Sequence, residues 1–416
     1  MKLQCYSLLL FTIMGNPVLA QVKPSLSVSK NGHYIVDRIN QPVFWQGDTE
    51  WELFHLFHAK EAQALLLERK KQGFNFVQIM ATGVFPEWGQ SKGVEFKSKE
   101  EAWANANPNT PNLKYFARVD SIISLAEKNN MTLVVGIFHA ADLDKKRITL
   151  SNIKGWATWI AKRYKAAPNI IWSMYPHADS ASVPIIKLAV EGLQAGDGGA
   201  HFITIHPDPS PKSSSFMHTS PWLAFNTLQT WSNEYINYEM VFADYQKTPA
   251  KPVINGEARY ESEDGTTPLQ TRMAGYWSCL AGGFYSYGHE SNWKSPLTWK
   301  TWFNSDGAKQ MKIMGDFFRS INWTKMVPEQ SVLVNPAKGD VASISTDKDF
   351  AIVYITNQKP FSVQLNKLKS KEITGWWIDP VTGNKTKSGD YSVDKVYAFG
   401  LPQGWKDGLM LFKPKE

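Results

Sequence analysis

Residues Lys251-Pro252-Val253-Ile254-Asn255-Gly256-Glu257 decide the fold. The run is short and apolar and ends abruptly in a glycine and a carboxylate, a pattern typical of a buried parallel strand. In a (β/α)8 barrel the catalytic groups lie at the carboxyl ends of the strands. The segment therefore predicts a barrel strand over residues 253–257, with Glu257 at its functional end.

Strand-like and helix-like segments alternate on both sides of this strand. The predicted strands are residues 43–47, 74–80, 131–138, 169–174, 201–205, 225–229, 253–257 and 283–287. The predicted helices are residues 60–71, 113–129, 152–165, 183–194, 234–245, 269–280 and 307–319. Eight such repeats predict an α/β fold, a (β/α)8 TIM barrel. A doubly wound sheet is the alternative, but no Gly-rich phosphate loop supports it.

Two regions flank the barrel pattern. Residues 26–45 alternate in polarity around the turn signal Asn31-Gly32, which predicts a hairpin. From about residue 326 short alternating strands take over, which predicts a C-terminal antiparallel β-sandwich domain. Its adjacent Trp376 and Trp377 are expected to pack on opposite faces of a strand.

The first 20 residues have the pattern of a secretory signal peptide. Lys2 precedes the apolar run 8–14, and Val18-Leu19-Ala20 supplies small residues for cleavage. We therefore predict three parts: a signal peptide (1–20), a catalytic barrel (21–325) and the β-sandwich (326–416). The protein is expected to be exported, to the periplasm or outside the cell. Removal of Cys5 with the signal leaves Cys279, so no intramolecular disulfide is predicted.

The composition favours a sugar-binding enzyme over a nucleic-acid-binding or membrane protein. The chain has 416 residues, of which 43% are hydrophobic and 17 are Trp, and flat aromatic faces stack well on pyranose rings. Its net charge of +7 suits an acidic oligosaccharide as substrate. No basic block or nucleic-acid motif is present, and no stretch after the signal is apolar enough to span a bilayer. No cofactor is predicted.

Polar and aromatic side chains follow the predicted strands at the same end of the barrel. Because the carboxyl ends of barrel strands meet at one mouth, we expect them to converge there. The candidates are Asp48, Trp51, Gln78, His139, His177, His206, Gln229, Trp231, Glu257, Arg259, His289 and Trp293. Four of them are histidines, but no H-E-x-x-H or other tight ligand spacing accompanies them, so no metal is predicted. The absence of G-x-S-x-G disfavours a serine hydrolase.

Several of these segments together resemble the apiosidase-like glycoside hydrolases over roughly residues 26–416. The matching segments are Gln46-Gly47-Asp48-Thr49-Glu50-Trp51, Gln72-Gly73-Phe74-Asn75-Phe76-Val77-Gln78, Pro168-Asn169-Ile170-Ile171-Trp172, Thr204-Ile205-His206-Pro207, Gly256-Glu257-Ala258-Arg259-Tyr260-Glu261 and Tyr287-Gly288-His289. The resemblance implies a barrel followed by a C-terminal β-sandwich. It also implies that Glu257, the first carboxylate of G-E-x-x-Y-E, is the nucleophile.

The resemblance also places an acid/base carboxylate just beyond the fourth strand. Counted from Trp172, that position is His177 in this sequence, and Tyr175 and Pro176 replace the glycines usual in the family. Asp179 lies two residues further on. The family's hydrolytic mechanism is therefore altered at its acid/base position.

This replacement leaves three functional hypotheses. The favoured one is elimination on a uronic acid in an ulvan-like or pectin-like oligosaccharide, with His177 as base, Tyr175 as acid and Arg259 neutralising the substrate carboxylate. The second is retaining hydrolysis with Glu257 as nucleophile and His177 or Asp179 as acid. The third is an inactive sugar-binding protein. In each, the remaining candidates at the mouth are expected to bind substrate.

Overall fold

The computed structural model describes residues 25–83, 101–177, 179–209 and 212–415 of the 416-residue chain. The predicted signal peptide, including Cys5, lies outside the described residues. Within them, no helix has the length and hydrophobicity needed to cross a membrane.

The N-terminal half of the fold is a hairpin sheet followed by a parallel sheet. In chain order the strands are β1 (Leu26–Val28), β2 (Ile35–Asp37), β3 (Pro42–Val43), β4 (Gln46–Thr49), β5 (Phe76–Met80), β6 (Thr132–His139), β7 (Ile170–Tyr175), β8 (Asn226–Gln229), β9 (Val253–Glu257) and β10 (Phe284–Ser286). Strands β1 to β3 form the predicted antiparallel hairpin sheet. Strands β4 to β10 pair in parallel in the order β7-β6-β5-β4-β10-β9-β8.

Twelve α-helices accompany the parallel strands in the described residues. They are α1 (Leu53–Leu56), α2 (Ala59–Lys71), α3 (Leu113–Lys128), α4 (Ala140–Asp144), α5 (Ile153–Tyr164), α6 (Val183–Asp197), α7 (Ser214–Met217), α8 (Ile236–Tyr245), α9 (Pro268–Leu280), α10 (Ser291–Lys294), α11 (Trp299–Trp302) and α12 (Asp306–Arg319). The seven longest were predicted from the sequence, and the five short ones, α1, α4, α7, α10 and α11, were not. Side-chain caps mark the beginnings of α3, α4, α9 and α12. In α9, for example, Thr267 and Gln270 bond each other's backbone N–H groups in a capping box, and Pro268 occupies the first turn.

The predicted fifth strand closes the curled sheet into a barrel without forming a ladder of its own. Ile203 makes isolated parallel bridges to Trp172 of β7 and to Leu223. The backbone N–H groups of Thr204 and His206 donate to the carbonyls of Trp172 and Met174 in β7, and the Thr204 side chain donates to the Phe225 carbonyl at 3.1 Å. The prediction of a (β/α)8 barrel is confirmed, and its carboxyl-terminal strand ends face one mouth.

The C-terminal region is antiparallel, as predicted. Its strands are β11 (Met326–Pro328), β12 (Leu333–Val334), β13 (Val341–Ser345), β14 (Ala351–Ile355), β15 (Phe361–Gln364), β16 (Glu372–Ile378), β17 (Lys385–Ser392), β18 (Val396–Phe399) and β19 (Gly408–Pro414). They form a six-stranded sheet, β11-β13-β14-β19-β16-β17, and a three-stranded sheet, β12-β15-β18. Trp376 packs toward the core shared with the barrel and Trp377 toward the sandwich core, which confirms their opposite orientation.

Candidate active site

A cavity of about 490 Å³ opens at the mouth of the barrel. It lies where β4, β6, β7, β8 and β9 end, so the strands themselves bring its walls together. The residues that line it are Trp51, His139, Ala140, Asp144, Tyr175, His177, Asp208, Pro209, Gln229, Trp231, Glu257, Tyr260, Glu263, Asp264, Trp293 and Lys294. Eight of them belong to the candidates that the sequence predicted.

Glu257 is the last residue of β9 and lies buried at the base of this cavity. Its Oε2 atom lies 3.4 Å from the Tyr175 hydroxyl, which donates to it, and 3.5 Å from His206 Nε2. Burial, and to a lesser extent repulsion from Glu263, raise the pKa of Glu257 to about 8. The preceding residue must be glycine, because a Cβ on Gly256 would lie 2.8 Å from a methyl group of Thr227.

Tyr175 connects Glu257 to the neighbouring strand end. Its single hydroxyl proton is shared between Glu257 and Gln229 Oε1, which lies 2.9 Å from the phenol oxygen, and its ring stacks on Trp51 with centroids 5.8 Å apart. Burial and the nearby Glu257 raise the pKa of Tyr175 well above its usual value, so the phenol keeps its proton. The Trp51 indole N–H donates to the Tyr260 hydroxyl at 3.0 Å, which fixes this aromatic wall.

Two predicted histidines, His206 and His139, lie at the floor and the wall of the cavity. His206 is buried, and burial lowers its pKa to about 3, so the ring is neutral beside Glu257. His139 is the N-cap of α4, and its Nδ1 accepts the backbone N–H of Ala141 at 3.1 Å. Its ring contacts Tyr175 edge-on at 4.7 Å.

His177 lies between two carboxylates at the cavity wall. Its Nε2 is 3.0 Å from Asp144 Oδ1 and its Nδ1 is 3.3 Å from Asp208 Oδ2. Hydrogen bonds to Asp144 and then Asp208 raise the pKa of His177, which favours the imidazolium. With 41% of its side chain exposed, the ring still reaches water. Asp144, His177 and Asp208 are called the open cluster below.

The comparisons with known proteins decide the family. The family model described as "Apiosidase-like, catalytic domain" matches residues 29–325. The chain belongs to the apiosidase-like family. A second model, described as "Putative collagen-binding domain of a collagenase", matches residues 327–412. A search of curated protein sequences finds no match.

Solved structures share the fold of this apiosidase-like chain. A structure described as a glycoside hydrolase has a TM-score of 0.81 at 22% identity, covering 94% of this chain and 97% of its own. A glycoside hydrolase family 5 protein from Bacteroides vulgatus ATCC 8482 has the same score and identity, with coverages of 94% and 93%. An endo-1,4-beta-mannanase from Rhizomucor miehei has a TM-score of 0.54 at 13% identity, covering 71% and 99%. Together with the family model, these structures show that the scaffold is glycoside-hydrolase-like.

Five of the predicted site residues do not line the cavity. Asp48 is completely buried and bound to Arg69 at 2.6 Å, because the side chain points into the barrel wall. Gln78 donates to the Gly256 carbonyl at 2.7 Å and supports the floor, where His206 also lies. His289 stacks on Trp302 at 5.1 Å, and Arg259 is held in an ion pair with Asp264.

Asp179, the carboxylate nearest to the family's acid/base position in the sequence, has a structural contact. Its Oδ1 accepts both the backbone N–H and the hydroxyl of Ser182, each at 2.9 Å, and thereby caps the short helical turn Ser180–Ser182. It is not among the residues that line the cavity. In this apiosidase-like chain the open cluster, and not Asp179, lines the same cavity as Glu257.

The remaining cavity residues were not predicted from the sequence because they lie beyond the strand ends, in short helices and loops. Asp144 ends α4, five residues after His139, and Asp208 lies two residues after His206. Tyr260, Glu263 and Asp264 follow Glu257 in one segment, and Lys294 follows Trp293. A search for charged residues within five positions of each strand end would have found the two aspartates. Among the described residues no group of three or more His, Cys, Asp or Glu side chains is arranged to hold a metal.

Proposed function

We propose that this protein hydrolyses a glycosidic bond of a neutral glycan, with Glu257 as nucleophile and the His177 imidazolium as proton donor. The observation that carries the proposal is the open cluster: both ring nitrogens of His177 are bound by carboxylates, and the ring lines the same cavity as Glu257. A histidine in the family's acid/base position meets the need for a proton only if it is charged. Asp144 and Asp208 provide that condition.

The proposed reaction has two steps. Ionised Glu257 attacks the anomeric carbon while an imidazolium N–H of His177 passes its proton to the departing oxygen, so that one C–O bond forms as the other breaks. A water molecule then attacks the same carbon, returns a proton to His177 and releases the sugar from Glu257. The donating nitrogen must leave its aspartate during the first step. The exposure of the open cluster supports that exchange.

The charges around the cavity favour a neutral substrate over the uronic acid expected from the net charge. Besides Glu257, four acidic side chains line the cavity: Asp144, Asp208, Glu263 and Asp264. Lys294 is bound to Glu290, and Arg259 is bound to Asp264. An anionic sugar would therefore meet mainly repulsion here. For the same reason Arg259 is poorly placed to neutralise a substrate carboxylate as elimination requires.

Elimination remains a second candidate, supported by one observation. Neutral His206 lies beside Glu257, and the Tyr175 phenol is within hydrogen-bond distance of the same carboxyl group. A ring whose pKa is lowered to about 3 is a weak base, so elimination would use the Tyr175 phenol as acid and His177, which lines the cavity, as base. The two mechanisms give different products, so a single assay separates them.

The first test is incubation with neutral and acidic cell-wall oligosaccharides, ulvan and pectin fragments included, followed by mass spectrometry. Hydrolysis of a neutral glycan with addition of one water supports the proposal. A product that has lost water, or an unsaturated uronate, supports elimination. Binding without any product identifies an inactive sugar-binding protein.

The role of Glu257 is tested by E257Q, which keeps the shape of the side chain and removes its charge. We expect the turnover number to fall about 10³-fold or more, because no other group replaces the nucleophile. The matched control is E263Q, which alters a neighbouring carboxyl group of the same cavity. A loss caused by E263Q and not by E257Q would contradict the assignment.

We also propose that the mature protein is exported after cleavage following Ala20. The signal-like residues 1–20 carry this proposal. The mass of the protein recovered from the periplasm or medium tests it. A cytoplasmic protein that begins at Met1 would overturn it.

A further inference from the structure

Trp231 presents an exposed indole on strained backbone beside the cavity. It lies two residues beyond β8, its side chain lines the cavity, and 46% of the residue is exposed. Its φ of +41° falls in the left-handed region that non-glycine residues rarely adopt. Strained backbone and exposed large aromatic groups both cost free energy and concentrate at binding sites.

The strained turn at Trp231 is hydrogen-bonded to the end of β9, the strand that carries Glu257. The backbone N–H groups of Thr230 and Trp231 both donate to the Glu257 carbonyl, at 2.8 and 3.2 Å. The position of the indole is therefore set relative to the carboxyl group of the same residue.

Polar groups hold the indole from one side. The Arg259 guanidinium lies 5.5 Å from the ring centre and is itself bound by Asp264. Burial raises the pKa of Glu263, and a hydrogen bond from Trp231 partly offsets that rise. Glu263 also accepts the Tyr260 backbone N–H. Such a support fixes the plane of the ring and leaves part of it toward the cavity.

We propose that Trp231 is a stacking plate for a second sugar, adjacent to the one whose bond is cleaved, so that the substrate is a neutral oligosaccharide and not a simple monosaccharide glycoside. The position next to a cleaved bond rests on the proposed function, whereas binding of a sugar to Trp231 does not depend on hydrolysis. A flat indole fixed on a polar support matches the apolar face of a pyranose ring. Arg259 acts behind the ring as a positioning residue.

Calorimetric titration of E257Q tests the plate in a background without turnover. The probes are cellotetraose, mannotetraose and xylotetraose, with the corresponding monosaccharides for comparison. We expect E257Q to bind at least one tetrasaccharide and W231A to weaken that binding about tenfold, while W231F stays within about threefold. Binding of the monosaccharide should change less than about twofold.

Two further variants separate the plate from backbone effects. W231G removes the ring at a φ that glycine adopts freely, so it should weaken tetrasaccharide binding as much as W231A does. I236A removes exposed apolar surface five residues away, outside the residues that line the cavity, and should leave binding unchanged. Equal weakening of monosaccharide and tetrasaccharide binding, no effect of W231A, or no tetrasaccharide binding to E257Q would each overturn the plate.

The outcomes also distinguish this inference from the proposed function. Tetrasaccharide binding that depends on Trp231, with no hydrolysis by the unmodified protein, would support the plate and overturn the hydrolase. If the protein hydrolyses oligosaccharides and W231A leaves the KM unchanged, the hydrolase is supported and the plate is overturned.

Discussion

Two clusters in this barrel place one cation between two carboxylates, and they differ in their access to water. In the closed cluster, Arg69 Nε binds Asp48 at 2.6 Å and Nη2 binds Glu50 at 3.3 Å, with no exposure of the guanidinium side chain. Aromatic rings cover it, and the Phe303 ring centre lies 3.8 Å from the guanidinium carbon. In the open cluster, the imidazole of His177 replaces the guanidinium and is 41% exposed.

The difference shows why similar sequence signals have different roles. A guanidinium keeps its proton at any physiological pH, so a buried arginine between acids can only hold structure. Burial, and then repulsion from Asp48, raise the pKa of Glu50 well above its usual value, while the charge of Arg69 opposes that rise. An imidazolium in contact with water can give up its proton and regain it.

The largest effect is expected from breaking the closed cluster. R69L leaves Asp48 and Glu50 buried without their cation, and we expect the free energy of unfolding to fall by about 3–5 kcal/mol. Denaturant unfolding measures it. The matched control is H177Q, which removes the cation of the open cluster and should cost less than about 1 kcal/mol because its partners are solvated. Similar losses in the two variants would show that the clusters are equivalent.

For stability the closed cluster should matter more, but for the catalytic rate we expect the open cluster to be decisive. We expect H177Q to lower kcat about 10²-fold, since it removes the proposed proton donor while keeping a polar side chain. H177D places a carboxyl group at the position implied by the family resemblance and should recover part of that loss. Initial rates on the best oligosaccharide substrate measure both. If H177Q retains full activity, the open cluster is not the donor.

The pH dependence sharpens the assignment within the open cluster. Glu257 must be ionised, and its raised pKa predicts a rise of kcat/KM as pH approaches about 8. His177 must be protonated, so activity should fall again as pH rises through its raised pKa. The profile should therefore be bell-shaped, with H177Q losing the alkaline limb and keeping the acid limb. An alkaline limb that persists in H177Q would assign it to another group.

The barrel could be predicted from the sequence because its strands are short, buried and regularly spaced. Strand β9 was predicted with its observed bounds, and Glu257, Tyr175 and Trp51 were found because strand ends converge. Side-chain direction could not be predicted: Asp48 points into the barrel wall. Asp144 and Asp208 belong to segments whose path over the mouth depends on tertiary packing, which periodicity does not encode.

The smallest effect is expected at Asp179, and it tests whether the family's carboxylate was simply displaced along the chain. Because Asp179 caps the turn Ser180–Ser182, D179A should lower the free energy of unfolding by about 1 kcal/mol, and D179N, whose amide oxygen still accepts from Ser182, should lower it less. Both variants should keep kcat within about twofold, since a cap contributes no proton to the reaction. A 10²-fold loss of kcat in D179N with unchanged stability would instead mean that the loop rearranges when sugar binds. Asp179, and not His177, would then be the donor, and the open cluster would be as structural as the closed one.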